Sequence, residues 1–424
     1  MAATRGEPDV LVVGGGLAGL ACARDLVDVG LDVKVLEASD EVGGRMRTDR
    51  HEGFVVDRGF QVFNTAYPQV RRRLPLRELR LRPFTPGVLV HTEDGPMRFS
   101  DPTRRSRTPH MPPRTRALRD LRPGRLAGTR DLLALGALSA RDMLAPARLL
   151  KRERGEDRTT RTALAAAGFS EEFVERFFRP FLSGVFLEDE LETSARVFHL
   201  VWRSMLRGTL SLPGEGIGAV PRALAAALPR ATVRLGNPVA RLTDDGVELA
   251  TGAELPARAV VVATGPGPAA DLLPGLDVPA YRVVTTYYHA ATRSPLPEPT
   301  LLTDTRRRFL NSCVLSEVVP SYAPAHMSLI ATSVLGEDTQ GREREVRTAL
   351  ADAYGADTGD WDLLTVRTVP DALPVMAPPQ PLSRTARVAP GRYVCGDHRA
   401  TGSVQGALAS GTRAAREVAR DLGR

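Results

Sequence analysis

The chain has 424 residues, 42% hydrophobic and 25% charged, values close to globular averages that exclude a disordered chain and leave room for two or three domains of roughly 150 residues each. Its net charge of +7 sits almost wholly on arginine, with lysine only at Lys34 and Lys151, which is the mark of a GC-rich coding bias; no recognition motif accompanies it, so no nucleic acid is expected as a partner. Three cysteines, Cys22, Cys313 and Cys395, are odd in number and far apart, and predict neither a disulfide framework nor a metal site.

Met1 to Pro8 is short and polar, without the apolar stretch of a signal peptide, so a cytoplasmic location is expected. Asp9 to Val13 reads as a buried parallel strand. Leu17 to Val29 reads as a helix with Leu20, Ala23 and Val27 on one face, ended by Gly30. Val33 to Leu36 supplies a second strand and completes a βαβ unit. Beyond Tyr67 the pattern changes: Arg71 to Arg82 is basic, Pro83 to Met97 suggests short strands and turns, and Asp101 to Arg130 is rich in Pro and Arg. Asp131 to Leu150, Thr160 to Ala167 and Glu171 to Phe178 predict helices, so the middle of the chain is expected to be largely helical. Strand-like runs return at Arg234 to Leu249, Ala259 to Ala263, Val366 to Val369 and Arg392 to Cys395, before a final helix over Gly402 to Leu422. The sheet domain is thus built from separated pieces. The longest uncharged run, Val318 to Gly336, carries Pro320, Pro324 and His326 and is not a membrane span.

Between the first strand and helix, Gly14-Gly15-Gly16-Leu17-Ala18-Gly19 sets glycines in the G-x-G-x-x-G register. Gly14 permits a tight turn, Gly16 lets the backbone approach a pyrophosphate, and Gly19 lets helix and strand pack closely. Glu37 follows Gly19 by 18 residues at the end of the second strand, where a carboxylate can accept from both hydroxyls of an unphosphorylated ribose. Strand, helix and acid together predict dinucleotide binding. Gly265-Pro266-Gly267-Pro268-Ala269-Ala270 formally fits a second such turn, but its two prolines argue against a helix start there and no acid follows at the right distance.

Glu41-Val42-Gly43-Gly44-Arg45-Met46-Arg47-Thr48 follows at once and resembles the G-G-R-x-x-[ST] motif of the flavoprotein family that includes monoamine and polyamine oxidases, protoporphyrinogen oxidase and plant-type phytoene desaturases. Gly43 and Gly44 would let the backbone pass the cofactor, and Arg45 would neutralise a phosphate. Asp57, Gly59 and Phe60 resemble the family's D-x-G stretch, and Val239 in Asn237 to Arg241 its adenine-contacting valine. Gly396 and Asp397 match a strand ending in Gly-Asp, whose Asp binds the ribityl chain in the family. Ser403 and Val404 open the helix whose N-terminus aims at the flavin.

The resemblance implies non-covalent FAD, since no cysteine lies in the final helix to tether it. It implies an α/β fold: a Rossmann-like, glutathione-reductase-like FAD-binding domain of residues 1–66, 214–278 and 368–424, with an inserted mixed α+β, largely helical substrate domain of 67–213 and 279–367. It also implies a small organic substrate and an electron acceptor such as oxygen or quinone. The family's amine oxidases place a lysine beside flavin N5 and an aromatic cage over the ring; neither is evident, and Ser403 stands where a cage tyrosine is expected. The run from Gly402 to Gly411 is closer to the desaturases, which favours dehydrogenation of an apolar substrate by hydride transfer. An amine or amino-acid oxidase with an altered cage and a redox-neutral isomerase are the alternatives. No catalytic residue can be carried over. His398 could act as acid or base, although a histidine after a strand end is more often a hydrogen-bonded structural residue. Phe177, Phe178, Phe181, Phe186 and Trp202, at helical spacing, are expected in a core rather than lining a pocket. Between Arg104 and Arg130 nine arginines meet one acid, Asp120, ahead of a leucine-rich helix; this makes peripheral contact with anionic lipid a candidate role beside that of a solvated loop.

Overall fold

The computed structural model describes residues 7–100, 128–145 and 156–424. Lys151 and nearly all of the Arg-rich segment therefore lie outside the described residues. A six-stranded sheet runs in the order Val233–Arg234, Val33–Leu36, Val10–Val13, Ala259–Val262, Arg392–Val394, Arg387–Ala389. Its first five strands are parallel and the last is an antiparallel edge. The strand Val10 to Val13 is apolar throughout rather than alternating because both of its faces are covered. Val10 and Val12 join a cluster with Leu20, Leu26 and Val418, while Leu11 and Val13 pack on the other face against Val247 and Leu249. A parallel strand so placed has no side to show to water.

Two helices, Leu17–Asp28 and Val404–Asp421, pack on one face of this sheet. Their backbones approach so closely that a Cβ on Gly411 would come within 2.1 Å of the Ala18 carbonyl oxygen. The other face carries a small antiparallel sheet of Val239–Leu242, Gly246–Leu249 and Glu254–Pro256. The strand-like run from Arg234 to Leu249 thus contributes to three strands, shared between two sheets. The prolines at 266 and 268 do not prevent a helix, which spans Pro266–Leu272. In the first turn a missing N–H costs nothing, because that donor has no intrahelical partner in any case.

The inserted part is organised on a seven-stranded sheet ordered Asp362–Pro374, Tyr281–Ala291, Ser328–Leu335, Asn311–Val314, Leu302–Asp304, Gly87–Thr92, Gly95–Ser100. Every neighbouring pair is antiparallel except Leu302–Asp304 with Gly87–Thr92. Asp362–Pro374 is one strand paired with Tyr281–Ala291 as far as Pro374, so the division expected between 367 and 368 falls inside it. A β-branched run such as Val366 to Val369 signals a strand but not which sheet it joins. Helices Thr129–Leu144, Thr160–Ala166, Arg179–Phe186 and Ala195–Arg207 sit beside this sheet. Phe177, Phe178, Phe186 and Trp202 are buried in one cluster with Phe169, Phe173 and Phe198, and Phe181 packs against it, as expected of a core. Tyr287, Ile330 and Val334 meet helix Arg342–Tyr354 in a separate cluster. All three cysteines are buried and free. Among the described residues no group of side chains could hold a metal ion, and no helix is long and apolar enough to cross a membrane.

Candidate functional site

Strands Val10–Val13, Val33–Leu36, Ala259–Val262 and Arg392–Val394 end on the same edge of the parallel sheet, so Gly14 to Gly16, Glu37, Ala263 to Gly265 and Cys395 to Asp397 follow side by side. The strand order reverses at Val10–Val13, and the crevice outside carboxyl ends at such a switch point is where open α/β sheets bind ligands.

Gly14 has φ +111° and donates to Leu36 O at 2.8 Å; a Cβ there would lie 2.8 Å from Ala263 O. A Cβ on Gly19 would come within 2.0 Å of Gly14 O, whereas one on Gly16 would meet no atom within 4 Å. Gly14 and Gly19 are therefore required by packing, and Gly16 faces open space at the start of helix Leu17–Asp28, where Leu17 and Ala18 form the first turn. Glu37 is buried and uses both carboxylate oxygens: Oε2 accepts from Gly15 N at 2.6 Å and Oε1 from Ser39 N at 2.9 Å. A carboxylate has about four acceptor sites, so two are left for ribose hydroxyls. Gly236 N donates to Ser39 O and Asn237 N to Glu37 O, both at 2.9 Å, which brings the segment leading into Val239 beside Glu37.

Gly43 N donates to Gly15 O at 3.0 Å, and a Cβ on Gly44 would lie 3.7 Å from the α-carbon of Gly16, so the glycine doublet sits directly against the first glycine turn. Arg45 departs from expectation. Its Nη2 donates to Asp397 Oδ1 at 2.7 Å, and its Nη1 to the carbonyls of Asp371 at 3.1 Å and Ala372 at 2.9 Å. Its charge is met by a carboxylate rather than left open for a phosphate. Asp397 also accepts from His398 N at 3.1 Å. Ser403 caps helix Val404–Asp421 by accepting from Gly406 N at 3.0 Å, and Gly396 N donates to Ser410 Oγ of that helix at 3.2 Å. A Cβ on Gly402 would lie 2.9 Å from Leu373 and Pro374, so the end of the long strand abuts the turn into this helix.

Asp57 and Gly59 join the two sheets. Asp57 Oδ1 accepts from Thr48 Oγ1 at 2.6 Å and Ile217 N at 2.9 Å, and burial raises its carboxyl to about 6 despite those bonds. A Cβ on Gly59 would lie 3.1 Å from Val369, and Phe60 N donates to Thr286 Oγ1 at 3.4 Å. Thr286 belongs to a row running across the large sheet, Arg367, Thr286, Ser333 and Asn311. Sequence reading missed this row because its members come from four separated strands. It also missed Tyr281, whose ring centroid lies 6.0 Å from the Arg45 guanidinium and whose buried hydroxyl has no hydrogen-bond partner. Burial pushes that phenol well above its ordinary range. His398 is buried with neither ring nitrogen hydrogen-bonded, which removes the expected reading of a hydrogen-bonded structural histidine.

Residues 17–419 match the family model of flavin containing amine oxidoreductases. The chain belongs to that family. Its cofactor is FAD, and the residues present fit it: open space at Gly16 and a carboxylate with free acceptor sites at Glu37. Polyamine oxidase 2 of Arabidopsis thaliana is 50% identical over 53 residues, 12% of this chain and 11% of that protein. The chain thus aligns with only about a tenth of the length of that curated relative. Two solved structures share the fold across its length. A putative protoporphyrinogen oxidase from Exiguobacterium sp. 255-15 has a TM-score of 0.71 at 18% identity, covering 100% of both chains. The cyclohexylamine oxidase of Brevibacterium oxydans IH-35A has a TM-score of 0.67 at 19% identity, covering 99% of this chain and 100% of that one.

Proposed function

We propose that the protein is an FAD-dependent oxidoreductase that removes two hydrogens from a small organic substrate, with desaturase-like dehydrogenation of an apolar carbon–carbon bond as the finer reading. When bound, FAD supplies a two-electron acceptor for hydride at N5. The observation that carries the reading is the convergence of Gly14 to Gly16, Glu37, Gly43 to Arg45, Asp397 and Ser403 on one crevice, with helix Val404–Asp421 opening there. The positive end of that helix favours the negative charge that hydride acceptance brings. Arg45 and Asp397 neutralise one another, so neither adds net charge to the crevice. An acceptor such as oxygen or quinone would take up the electrons.

Amine oxidation is the second reading, favoured by the Arabidopsis relative. Against it stand two observations: Ser403 is engaged as a helix cap where a cage tyrosine is expected, and Lys34 pairs with Asp32 at 3.5 Å beyond the crevice. Anaerobic mixing with polyenes and with amines separates the two. Bleaching of the flavin by polyenes alone supports the desaturase reading, and bleaching by amines alone overturns it.

A further inference from the structure

A cavity of about 190 Å³ lies where helix Arg179–Phe186 and the turn after it meet the end of the large sheet. None of the glycine turns, Glu37, Asp397 or the final helix lines it. Phe309, Leu310 and Val334 are buried and give it an apolar lining, while Asp189, Arg307 and Arg342 bring charge. Asp304 and Arg308 also line it but cancel one another, because Arg308 Nε and Nη2 each donate to the Asp304 carboxylate at 2.9 Å. The other charges are not matched in this way. Arg342 donates through Nη1 and Nη2 to the backbone carbonyls of Glu337 and Leu335, and among the described residues no carboxylate pairs with it. Arg307 has a 3.5 Å contact with Glu190, an acid shared with Arg179 at 3.3 Å and Arg161 at 3.8 Å. Among the described residues the Asp189 carboxylate has no hydrogen bond or ion pair; only its backbone carbonyl is used, accepting from Arg179 Nη1. Arg307 is also held in the left-handed region, at φ +60°, a conformation unfavourable to a residue with a Cβ and found where a site fixes it.

We propose that this cavity is a second small-molecule site, for a zwitterion with a short apolar body: an α-amino acid with an aliphatic side chain, its ammonium on Asp189 and its carboxylate on Arg307 and Arg342. A simple anion would leave Asp189 opposing it, and a simple amine would leave the guanidinium groups unmatched; a ligand with both charges answers both. A few polar groups around an apolar lining is the make-up of small-molecule sites in general. The volume is roughly that of six waters at about 30 Å³ each, which admits a molecule of this size. The inference stands apart from the FAD reading, since no crevice residue takes part.

The test is calorimetric titration of the full-length protein, as purified, with three probes that share one carbon skeleton: leucine with both charges, 4-methylpentanoate with the carboxylate alone and 3-methylbutylamine with the ammonium alone. Leucine is expected to bind at least about 10-fold more tightly than either. Asp189→Asn and Arg307→Ala change side chains outside the crevice. Each is expected to weaken leucine roughly 10- to 100-fold, with flavin content, absorbance spectrum and melting temperature as in wild type. Leucine that does not bind at millimolar concentration, or binds no better than its single-charge analogues, would overturn the proposal. So would leucine binding that survives both substitutions; if that binding also perturbs the flavin spectrum, the amino acid lies in the crevice instead. A protein that carries no flavin yet binds leucine through Asp189 and Arg307 would leave this site standing and count against the cofactor reading alone.

Discussion

The two ends of the crevice are built differently. At the glycine turn the backbone that shapes the site is fixed from within the chain: Glu37 holds Gly15 and Ser39, Gly14 bonds Leu36, and Gly43 bonds Gly15. At the other end Tyr281 Oη and both nitrogens of His398 are buried without partners. Each such group costs about 1–3 kcal/mol when left unpaired. The first end comes from one contiguous stretch whose backbone geometry is set by bonds within it. The second draws on strands from two sheets.

Substitutions can break this contrast, and the largest effect is expected at the glycine turn. Gly19→Ala would drive a methyl to within 2.0 Å of Gly14 O, a backbone atom with nowhere to go, so a loss of about 3 kcal/mol in denaturant unfolding is expected together with loss of bound flavin. Stability equal to wild type would mean the turn is looser than described.

Titration offers the next test, because two buried groups act in opposite directions. Asp57, raised to about 6, keeps its proton in the folded chain while the unfolded chain ionises at about 4. Its contribution is therefore nil below pH of about 4, turns unfavourable as pH rises from there to about 6, and stays so above, by about 3 kcal/mol. Asp57→Asn keeps an acceptor for Thr48 and Ile217, and its stability relative to wild type is expected to climb across that window. His398, lowered to about 4, resists protonation while the unfolded chain takes a proton below about 6.5, so stability is lost as pH falls from about 6.5 toward 4. Melting curves of His398→Gln and wild type should diverge only there; parallel curves from about pH 4 to 7 would contradict the burial of the ring.

Arg45→Met strips Asp397 of its cation while leaving the carboxylate buried. Because the guanidinium is about one-third exposed, the expected cost is reduced to about 2 kcal/mol, read as a lower melting temperature and weaker FAD retention. The smallest effect belongs to Lys34→Ala, whose exposed pair with Asp32 is worth less than about 0.5 kcal/mol and whose flavin content should match wild type.

The same contrast explains what could be read in the sequence. The glycine turn, Glu37 and the glycine doublet lie within a few tens of residues, so spacing alone carries their geometry. The salt bridge between Arg45 and Asp397 spans 352 positions and could not be foreseen from either residue. Tyr281 and the row through Thr286 and Ser333 come from strands that carry no motif, since their position depends on antiparallel register set by the whole sheet. Val366 to Val369 is recognisable as strand, yet sheet membership is decided by partners far along the chain.

The crevice as a flavin site is tested most directly by the absorbance spectrum of the purified full-length protein before and after denaturation. Flavin bands that pass wholly into the soluble fraction as FAD are the expected result, showing a cofactor held without a covalent bond. A colourless protein that cannot be reconstituted with FAD would contradict it.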